Sequence, residues 1–132
     1  MKIDDILLDS LTEQAKASPR LRMNYDLRNS SEDTSQRMLN AIEPDSVVPI
    51  HRHQNTSETV VVLRGRVKEE YYDDFGVLLD SIEISTGGPV HALNVPAGTW
   101  HTLRSLECGT IILEMKDGRY EPIGPEDVMV FK

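Results

Sequence analysis

Short stretches in which apolar and polar residues alternate run through most of this chain from residue 37 onward. Alternation with a period of two is typical of β-strands that bury one face. Gly, Pro, Asp and Asn turn signals separate the stretches about every 8–12 residues, a spacing typical of β-sandwiches and barrels. The sequence therefore predicts an all-β fold of about eight short antiparallel strands.

The first residues follow a helical period instead. The apolar side chains that recur at helical spacing are Ile3, Leu7, Leu11 and Ala15. Asp4 can cap this helix, and Pro19 ends it because the residue before a proline avoids the α conformation. The polar stretch "NSSEDTSQ" at residues 29–36 is typical of a loop. We therefore expect one domain in which residues 1–36, a helix and a loop, pack on a β-barrel formed by residues 37–132.

Composition narrows the classes of partner and compartment. The net charge is −8, so a surface that neutralises nucleic-acid phosphates is disfavoured. Cys108 is the only cysteine, which excludes an intramolecular disulfide and a cysteine-based zinc site. No apolar run at the N-terminus is long enough for a signal peptide or a membrane span. We expect a cytoplasmic protein with no nucleic-acid or membrane partner.

Two of the four histidines crowd into the stretch "HRHQNTSE" at residues 51–58. Alternation puts His51 and His53 on one face of a strand predicted over residues 47–53. Glu58 opens the next predicted strand after four polar turn residues. If these two strands pair antiparallel, the carboxylate returns beside the imidazoles. Two neutral imidazoles and a carboxylate suit Zn²⁺, Fe²⁺, Ni²⁺ or Mn²⁺.

The stretch "PAGTWH" at residues 96–101 supplies a third imidazole. Pro96 and Gly98 predict a turn, after which His101 begins another strand. With His101 on an adjacent strand, the shell would hold three histidines and one glutamate. An octahedral metal would then keep about two positions open for water or substrate. Gly65, seven residues after Glu58, predicts a sharp turn that needs a flexible backbone.

These two stretches resemble the two motifs of the cupins. His51-x-His53-x₄-Glu58-x₆-Gly65 is similar to the first motif, and Pro96-x-Gly98-x-x-His101 to the second. The resemblance implies a jelly-roll β-barrel, here with a short N-terminal helix, and one divalent transition metal at its centre. The metal ligands that it implies are His51, His53, Glu58 and His101. Two positions depart from the motifs without touching a ligand: Asp45 and Ser105 stand where cupins carry glycine and asparagine.

A closer resemblance covers nearly the whole chain. The stretches "ASPRLRMN", "QRMLNAIEP", "PIHRH", "VVLRG", "PAGTWHT" and "LEMKDGRYEP" together resemble the WbuC-type cupin-fold metalloproteins, which are small stand-alone bacterial cupins. This resemblance implies the same fold and metal site, and it implies no particular reaction.

The main functional hypothesis is a small metal-dependent enzyme that acts on an anionic sugar or another small oxygenated acid. Isomerase, lyase and dioxygenase chemistry all remain open. A non-catalytic ligand- or metal-binding module and a metal-free cupin of the sugar-epimerase type are the alternatives.

Candidate substrate-binding residues are Arg20, Arg37, His91 and Glu114. Arg22 is a further candidate beside Arg20 and Arg37, because an arginine can hold a carboxylate with two parallel hydrogen bonds if the N-terminal segment folds over the mouth of the barrel. We expect a small-molecule ligand. We also expect a homodimer, because sheet edges and apolar faces of such barrels commonly pair.

Overall fold

Two antiparallel β-sheets face each other in the computed structural model, which describes residues 1–130. The strands are β1 (Arg22–Asp26), β2 (Ser35–Ile42), β3 (Glu58–Arg64), β4 (Arg66–Tyr72), β5 (Leu78–Ser85), β6 (Ala92–Val95), β7 (Trp100–Ser105) and β8 (Thr110–Asp117). One sheet has the order β1-β2-β8-β3-β6, and the other has the order β5-β4-β7. The prediction of an all-β fold with eight short strands and one N-terminal helix is confirmed.

The two inner faces enclose an apolar core at one end of the sheets. Alternation places every second side chain of each strand inward, and these positions meet across the gap between the sheets. The buried cluster consists of Ile42, Val60, Val62, Val67, Ile84, Leu103 and Ile112. Each of these side chains contributes roughly 1.5–3 kcal/mol to folding through burial. The other end of the same inner faces carries the polar residues described below.

The helix α1 (Asp5–Ala17) covers the outer face of the larger sheet. Its N-terminus is capped as predicted, because the Asp4 side chain accepts a hydrogen bond from the Leu7 N–H at 3.1 Å. Its buried face packs against Leu39, Ala41 and Ile111. It ends where Ser18 turns extended before Pro19, also as predicted. No helix in residues 1–130 has the length and apolar character that crossing a membrane requires.

The N-terminal segment contributes more than a helix and a loop. Residues 22–26 form β1, which pairs with β2 along its whole length and is an edge strand of the larger sheet. β2 begins at Ser35, so the boundary predicted between residues 36 and 37 falls inside a strand. Residues 131 and 132 of the predicted barrel segment lie outside the described residues.

The prediction of a β-strand over residues 47–53 is wrong. This segment is extended, but only His51 forms a β-bridge, with His101 on one side and Val128 on the other. Pro49 has no N–H to give to a ladder, which limits pairing on that side. The segment therefore runs beside β7 rather than forming a strand of its own.

The turn predicted at Gly65 is confirmed. Gly65 joins β3 to β4 with φ of 78°, a conformation that side chains rarely adopt. A Cβ atom at this position would lie 2.3 Å from Thr110 Oγ1 and 2.9 Å from the Thr110 Cα. Glycine is thus required twice, for its backbone conformation and for its lack of volume.

Candidate metal site

Four polar side chains that are separate in sequence converge in the interior between the sheets. His51 and His53 come from the extended segment beside β7, Glu58 is the first residue of β3, and His101 is the second residue of β7. Each offers one ligand atom, and these atoms all lie within 4.8 Å of one another. The structure thus brings together all four residues that the sequence predicts as metal ligands.

The carboxylate reaches the imidazoles by a different route from the predicted one. β3 pairs with β6 and β8, not with the segment that carries His51 and His53. His51 instead pairs with His101 of the smaller sheet through two backbone hydrogen bonds, of 3.0 and 2.8 Å. Glu58 therefore approaches the three imidazoles from the opposite sheet, and the cluster spans the interior.

The distances within the cluster suit a shared cation. His53 Nε2 lies 3.4 Å from Glu58 Oε2, and His101 Nε2 lies 3.8 Å from the same oxygen. Two ligand atoms that are each about 2.1 Å from one ion lie about 3.0–4.2 Å apart, depending on the angle between them. These two separations fall within that range.

Contacts behind the imidazoles orient the rings. His51 Nδ1 donates to the Pro49 carbonyl oxygen at 2.8 Å, which leaves Nε2 of this ring as the acceptor. His101 Nδ1 contacts the fully buried carboxyl group of Glu69 on β4, two residues along from its cross-strand neighbour Tyr71. An ionised Glu69 accepts a hydrogen bond from Nδ1–H and leaves the Nε2 lone pair free for a metal, whereas a protonated Glu69 donates to Nδ1 and leaves the proton on Nε2. Metal binding at Nε2 therefore requires the ionised form of Glu69. Such outer contacts are the usual means by which proteins orient histidines that bind metals.

The protonation states also suit a metal. Burial, together with the neighbouring imidazoles, lowers the pKa of His51 to about 4. Burial lowers the pKa of His101 to about 4 as well, so both rings are neutral at pH 7. Burial alone would raise the pKa of Glu58, but His53, Lys116 and His101 together bring this pKa down to about 2. The cluster therefore offers the neutral imidazoles of His51 and His101 and an ionised carboxylate at Glu58.

Two buried polar atoms of the cluster lack a hydrogen-bond partner among the protein atoms. Within residues 1–130, His101 Nε2 and Glu58 Oε2 are buried and accept no hydrogen bond. A buried polar atom left without a partner costs about 1–3 kcal/mol. Coordination to one cation would satisfy both atoms at once. Three imidazoles and a carboxylate are a donor set that fits Zn²⁺, Fe²⁺, Ni²⁺ or Mn²⁺.

A cavity of about 270 Å³ opens beside the cluster. His51, His53 and Glu58 line it, and the other polar lining residues are Arg22, Asn24, Glu114 and Lys116. Burial and the nearby Glu58 carboxylate raise the pKa of Glu114 to about 8. The cavity is therefore a polar chamber that contacts the proposed ligands directly.

The C-terminal segment forms one wall of this cavity through Ile123 and Val128. The backbone of this segment is tied to the histidine segment, since Met129 N donates to the Ile50 carbonyl oxygen at 2.9 Å. A side-chain ion pair of 2.8 Å between Arg52 Nε and Asp127 Oδ1 adds to this attachment. Apolar side chains thus shield part of the cavity from water.

The four predicted substrate-binding residues lie in different places. Only Glu114 lines the cavity. Arg20 is exposed in the turn before β1, and His91 is exposed at the start of β6 with its ring beside Gly88. Arg37 forms an ion pair of 3.0 Å with Asp33 and also donates to the Leu27 carbonyl oxygen. The arginine that does line the cavity is Arg22.

Glu69 is a site residue that the sequence analysis missed. It lies between Val67 and Tyr71 in the inward-facing alternation of β4, a position at which an apolar residue is normal. Burial, reinforced by the Glu58 and Glu70 carboxylates, raises the pKa of Glu69 to about 9. A carboxyl group at an inward position of a strand is the sequence signal that could have identified it.

Solved structures of similar shape come from several proteins. KdgF from Halomonas sp. matches with a TM-score of 0.61 and 16% identity over 78% of this chain and 84% of KdgF. The capsular polysaccharide assembling protein CapF from Staphylococcus aureus matches with a TM-score of 0.66 and 15% identity over 85% of this chain. An oxalate oxidase in complex with the substrate analogue glycolate matches with a TM-score of 0.66 and 16% identity over 92% of this chain.

This chain spans only 32% of CapF and 64% of the oxalate oxidase, and identities this low establish the fold alone. The fold that they establish is the cupin fold, as the sequence motifs predicted. At the level of sequence, residues 3–84 match the family model described as a domain of unknown function, DUF6016. The chain belongs to this family. The matched region contains His51, His53 and Glu58 and ends before His101. No curated protein matches the sequence.

Proposed function

We propose that this protein is a metal-binding cupin and a small metal-dependent enzyme that acts on an anionic sugar or another small oxygenated acid. One divalent transition metal would be held by His51, His53, Glu58 and His101. A metal in this shell would act as a Lewis acid towards an oxygen atom of a bound ligand.

The convergence of the four ligand atoms carries the proposal. They come from three separate segments and two sheets, yet they lie within 4.8 Å of one another. Two of them, His101 Nε2 and Glu58 Oε2, are buried without a hydrogen-bond partner in residues 1–130. A purely structural polar cluster would be expected to satisfy its own buried atoms.

The surrounding residues have separate tasks in this proposal. Glu69 holds the His101 ring with Nε2 towards the cluster, and the Pro49 carbonyl oxygen does the same for His51. Ile123 and Val128 form an apolar part of the cavity wall. An apolar wall strengthens electrostatic contacts between a ligand and the polar lining.

The substrate class is supported by the cavity and by its neighbours in shape. Arg22 and Lys116 give the lining a basic character, which favours an anion. The similar structures include an enzyme named for its action on oxalate, a small acid, and a protein named for assembling a capsular polysaccharide. A likeness of fold does not transfer either activity, so both serve only as support.

The alternatives make different predictions. A metal-free cupin of the sugar-epimerase type would leave His101 Nε2 and Glu58 Oε2 unsatisfied, which argues against it. A non-catalytic module would bind the metal and a small acid without converting the acid. Product formation from sugar acids and hydroxy acids, followed by NMR, separates this module from an enzyme.

Three further expectations belong to the same proposal. The resemblance to WbuC-type cupins supports a bacterial metalloprotein of that group. The β4–β5 hairpin exposes Phe75, Val77, Leu78 and Leu79, which supports a homodimer. Light scattering on the purified protein measures the state of assembly. The acidic net charge of −8 supports the absence of a nucleic-acid partner.

Metal analysis of the purified protein tests the metal site. We expect close to one divalent metal per chain by inductively coupled plasma mass spectrometry. His101→Ala should lose most of this metal, whereas the matched control His91→Ala, at a histidine outside the cluster, should keep it. Anomalous scattering identifies the element. A wild-type protein that holds no metal after exposure to all four candidate ions would refute the proposal.

A further inference from the structure

Arg22 stands apart from the other arginines of this chain. Seven of the nine arginines have a carboxylate oxygen within 4 Å among residues 1–130: Arg28, Arg37, Arg52, Arg64, Arg66, Arg104 and Arg119. Arg20 and Arg22 have none there, and Arg20 is exposed to water. Arg22 is half-buried in the lining of the cavity beside the His–Glu cluster. In an acidic protein, an unpaired and half-buried arginine in a cavity requires an explanation.

The Arg22 side chain is held in place while part of it stays free. Its Nη1 donates to the Val47 carbonyl oxygen at 2.8 Å and to Ser46 Oγ at 3.3 Å. Ser46 in turn donates to the Arg20 carbonyl oxygen at 2.7 Å, which fixes the hydroxyl group. In the part of the chain that the structure describes, Nε and Nη2 of Arg22 donate to no protein atom. A guanidinium anchored by one nitrogen presents its other N–H groups as a fork for a planar anion.

The charge of the cavity also favours an anion. Lys116 is the second basic residue of the lining, and it has no carboxylate oxygen within 4 Å among residues 1–130. The carboxyl groups at the cluster and cavity are Glu58, Glu69 and Glu114. Even with all three ionised, the two basic side chains and a divalent metal exceed them in charge. A bound anion would reduce this excess.

We propose that Arg22 forms an anion-binding subsite that holds the carboxylate of a small oxygenated acid beside the His–Glu cluster. This inference rests on the proposed function, because it places the ligand next to the metal. The acid's remaining oxygen atoms face the cluster. Lys116 adds positive potential from the neighbouring part of the wall.

The size of the cavity limits the ligand. A volume of about 270 Å³ lies below the roughly 300–1,000 Å³ of pockets that take drug-sized molecules. Val48, Pro49, Ile123 and Val128 give the wall an apolar part that cannot hydrogen-bond to a large polar ligand through side chains. The subsite therefore has room for a hydroxy acid or a single sugar acid.

Paired ligands that differ in charge test this inference on the metal-loaded protein. Isothermal titration calorimetry would compare glycolate with its neutral isostere glycolamide, and galacturonate with galactose. We expect at least one acid of the two pairs to bind the wild type more tightly than its neutral partner. Arg22→Gln should raise the Kd of that acid by about 10–100-fold, since hydrogen bonds between charged groups are lost. The affinity for the neutral partner should stay within about twofold, as should the metal content.

Arg37→Gln is the matched control, because Arg37 is engaged with Asp33 and does not line the cavity. It should leave the affinity for both members of each pair unchanged. Arg22→Lys keeps the positive charge but not the paired N–H groups of the guanidinium, so it should give a Kd between those of the wild type and Arg22→Gln. If Arg22→Gln does not fold, the same calorimetric comparison is made with Arg22→Lys.

The outcomes separate the two proposals. A protein that holds the metal, yet binds acids and neutral partners alike or binds acids independently of Arg22, overturns the anion subsite and leaves the metal site standing. A wild type without metal refutes the proposed function, and the subsite with it.

Discussion

The two ends of the interior between the sheets differ in what they contribute to this protein. At one end, apolar side chains such as Ile112 and Val67 are fully buried and pack against each other. At the other end, the same strands carry Glu114 and Glu69, whose carboxyl side chains are also buried. Burying carboxyl groups costs free energy, and burying apolar groups releases it.

Within a single strand, one residue contributes to the apolar core and another lines the cavity or the metal site. β8 passes from Ile112 in the apolar core to Glu114 in the cavity within two residues, on the same face of the sheet. β4 does the same from Val67 to Glu69. The apolar end can therefore stabilise the fold while the polar end is held rigid for binding. Substitutions at the two ends should separate stability from metal affinity.

The largest expected effect is at the apolar end. Ile112→Ala should lower the free energy of unfolding by about 2–5 kcal/mol, because it removes buried apolar atoms and leaves a cavity. Urea unfolding of the metal-free protein measures this loss. The control Ile6→Ala, at a side chain that is 80% exposed, should change stability by less than about 0.5 kcal/mol. If the Ile112→Ala protein folded but no longer bound the metal, stability and metal affinity would not be separable between the two ends.

Substitutions at two turn glycines, Gly65 and Gly98, test how much close packing around a turn adds to backbone strain. Gly65 and Gly98 both have positive φ, of 78° and 81°, but only at Gly65 would a Cβ meet other atoms. Gly65→Ala should therefore destabilise the protein by roughly 1–3 kcal/mol more than Gly98→Ala, which carries the backbone strain alone. Thermal unfolding of the two variants side by side measures the difference. Equal losses would mean that the Thr110 region adjusts and that close packing at this turn is unimportant.

Glu69→Gln tests the polar end. The variant should keep the fold but lower metal affinity by about 10–100-fold, because an amide orients the His101 ring less well than a carboxyl group can. Competition with a metal-binding dye measures the affinity. Glu70→Gln is the matched neighbour, since Glu70 pairs with Arg104 and not with the cluster. Its metal affinity should equal that of the wild type. Equal effects of the two substitutions would remove Glu69 from the site.

The smallest expected effect on stability is at the N-terminus of α1, away from both the apolar core and the cavity. Asp4→Ala removes the N-cap of α1 and should lower stability by about 1 kcal/mol. Neither metal content nor ligand affinity should change, because α1 covers the outer face of the larger sheet. Circular dichroism during urea unfolding, together with metal analysis, checks both statements. A loss of metal in this variant would show that the capping of α1 on the outer face affects the His–Glu cluster, contrary to this expectation.

Patterns local in sequence predicted a large part of the fold and site. The helix cap at Asp4, the glycine turn at Gly65 and the four clustered residues were predicted from residue types and spacing, and the structure contains them. β1 was not predicted, although apolar and polar residues alternate from Leu21 to Leu27. So short an alternating run does not show which strand it pairs with, and the structure supplies β2 as its partner. The strand over residues 47–53 was predicted from alternation but does not form, since a neighbouring strand and not propensity decides pairing.

The sequence alone determined which chemistry the chain can perform, because imidazoles, carboxylates and their spacing along strands are read directly from the residues. The tertiary structure decided which groups share a space. It brought Glu58 to the histidines from the opposite sheet, put Glu69 behind His101 and selected Arg22 over Arg20 and Arg37 for the cavity. Alternation tells which face of a strand a side chain occupies. What lies across from that face depends on non-local packing, which local spacing does not encode.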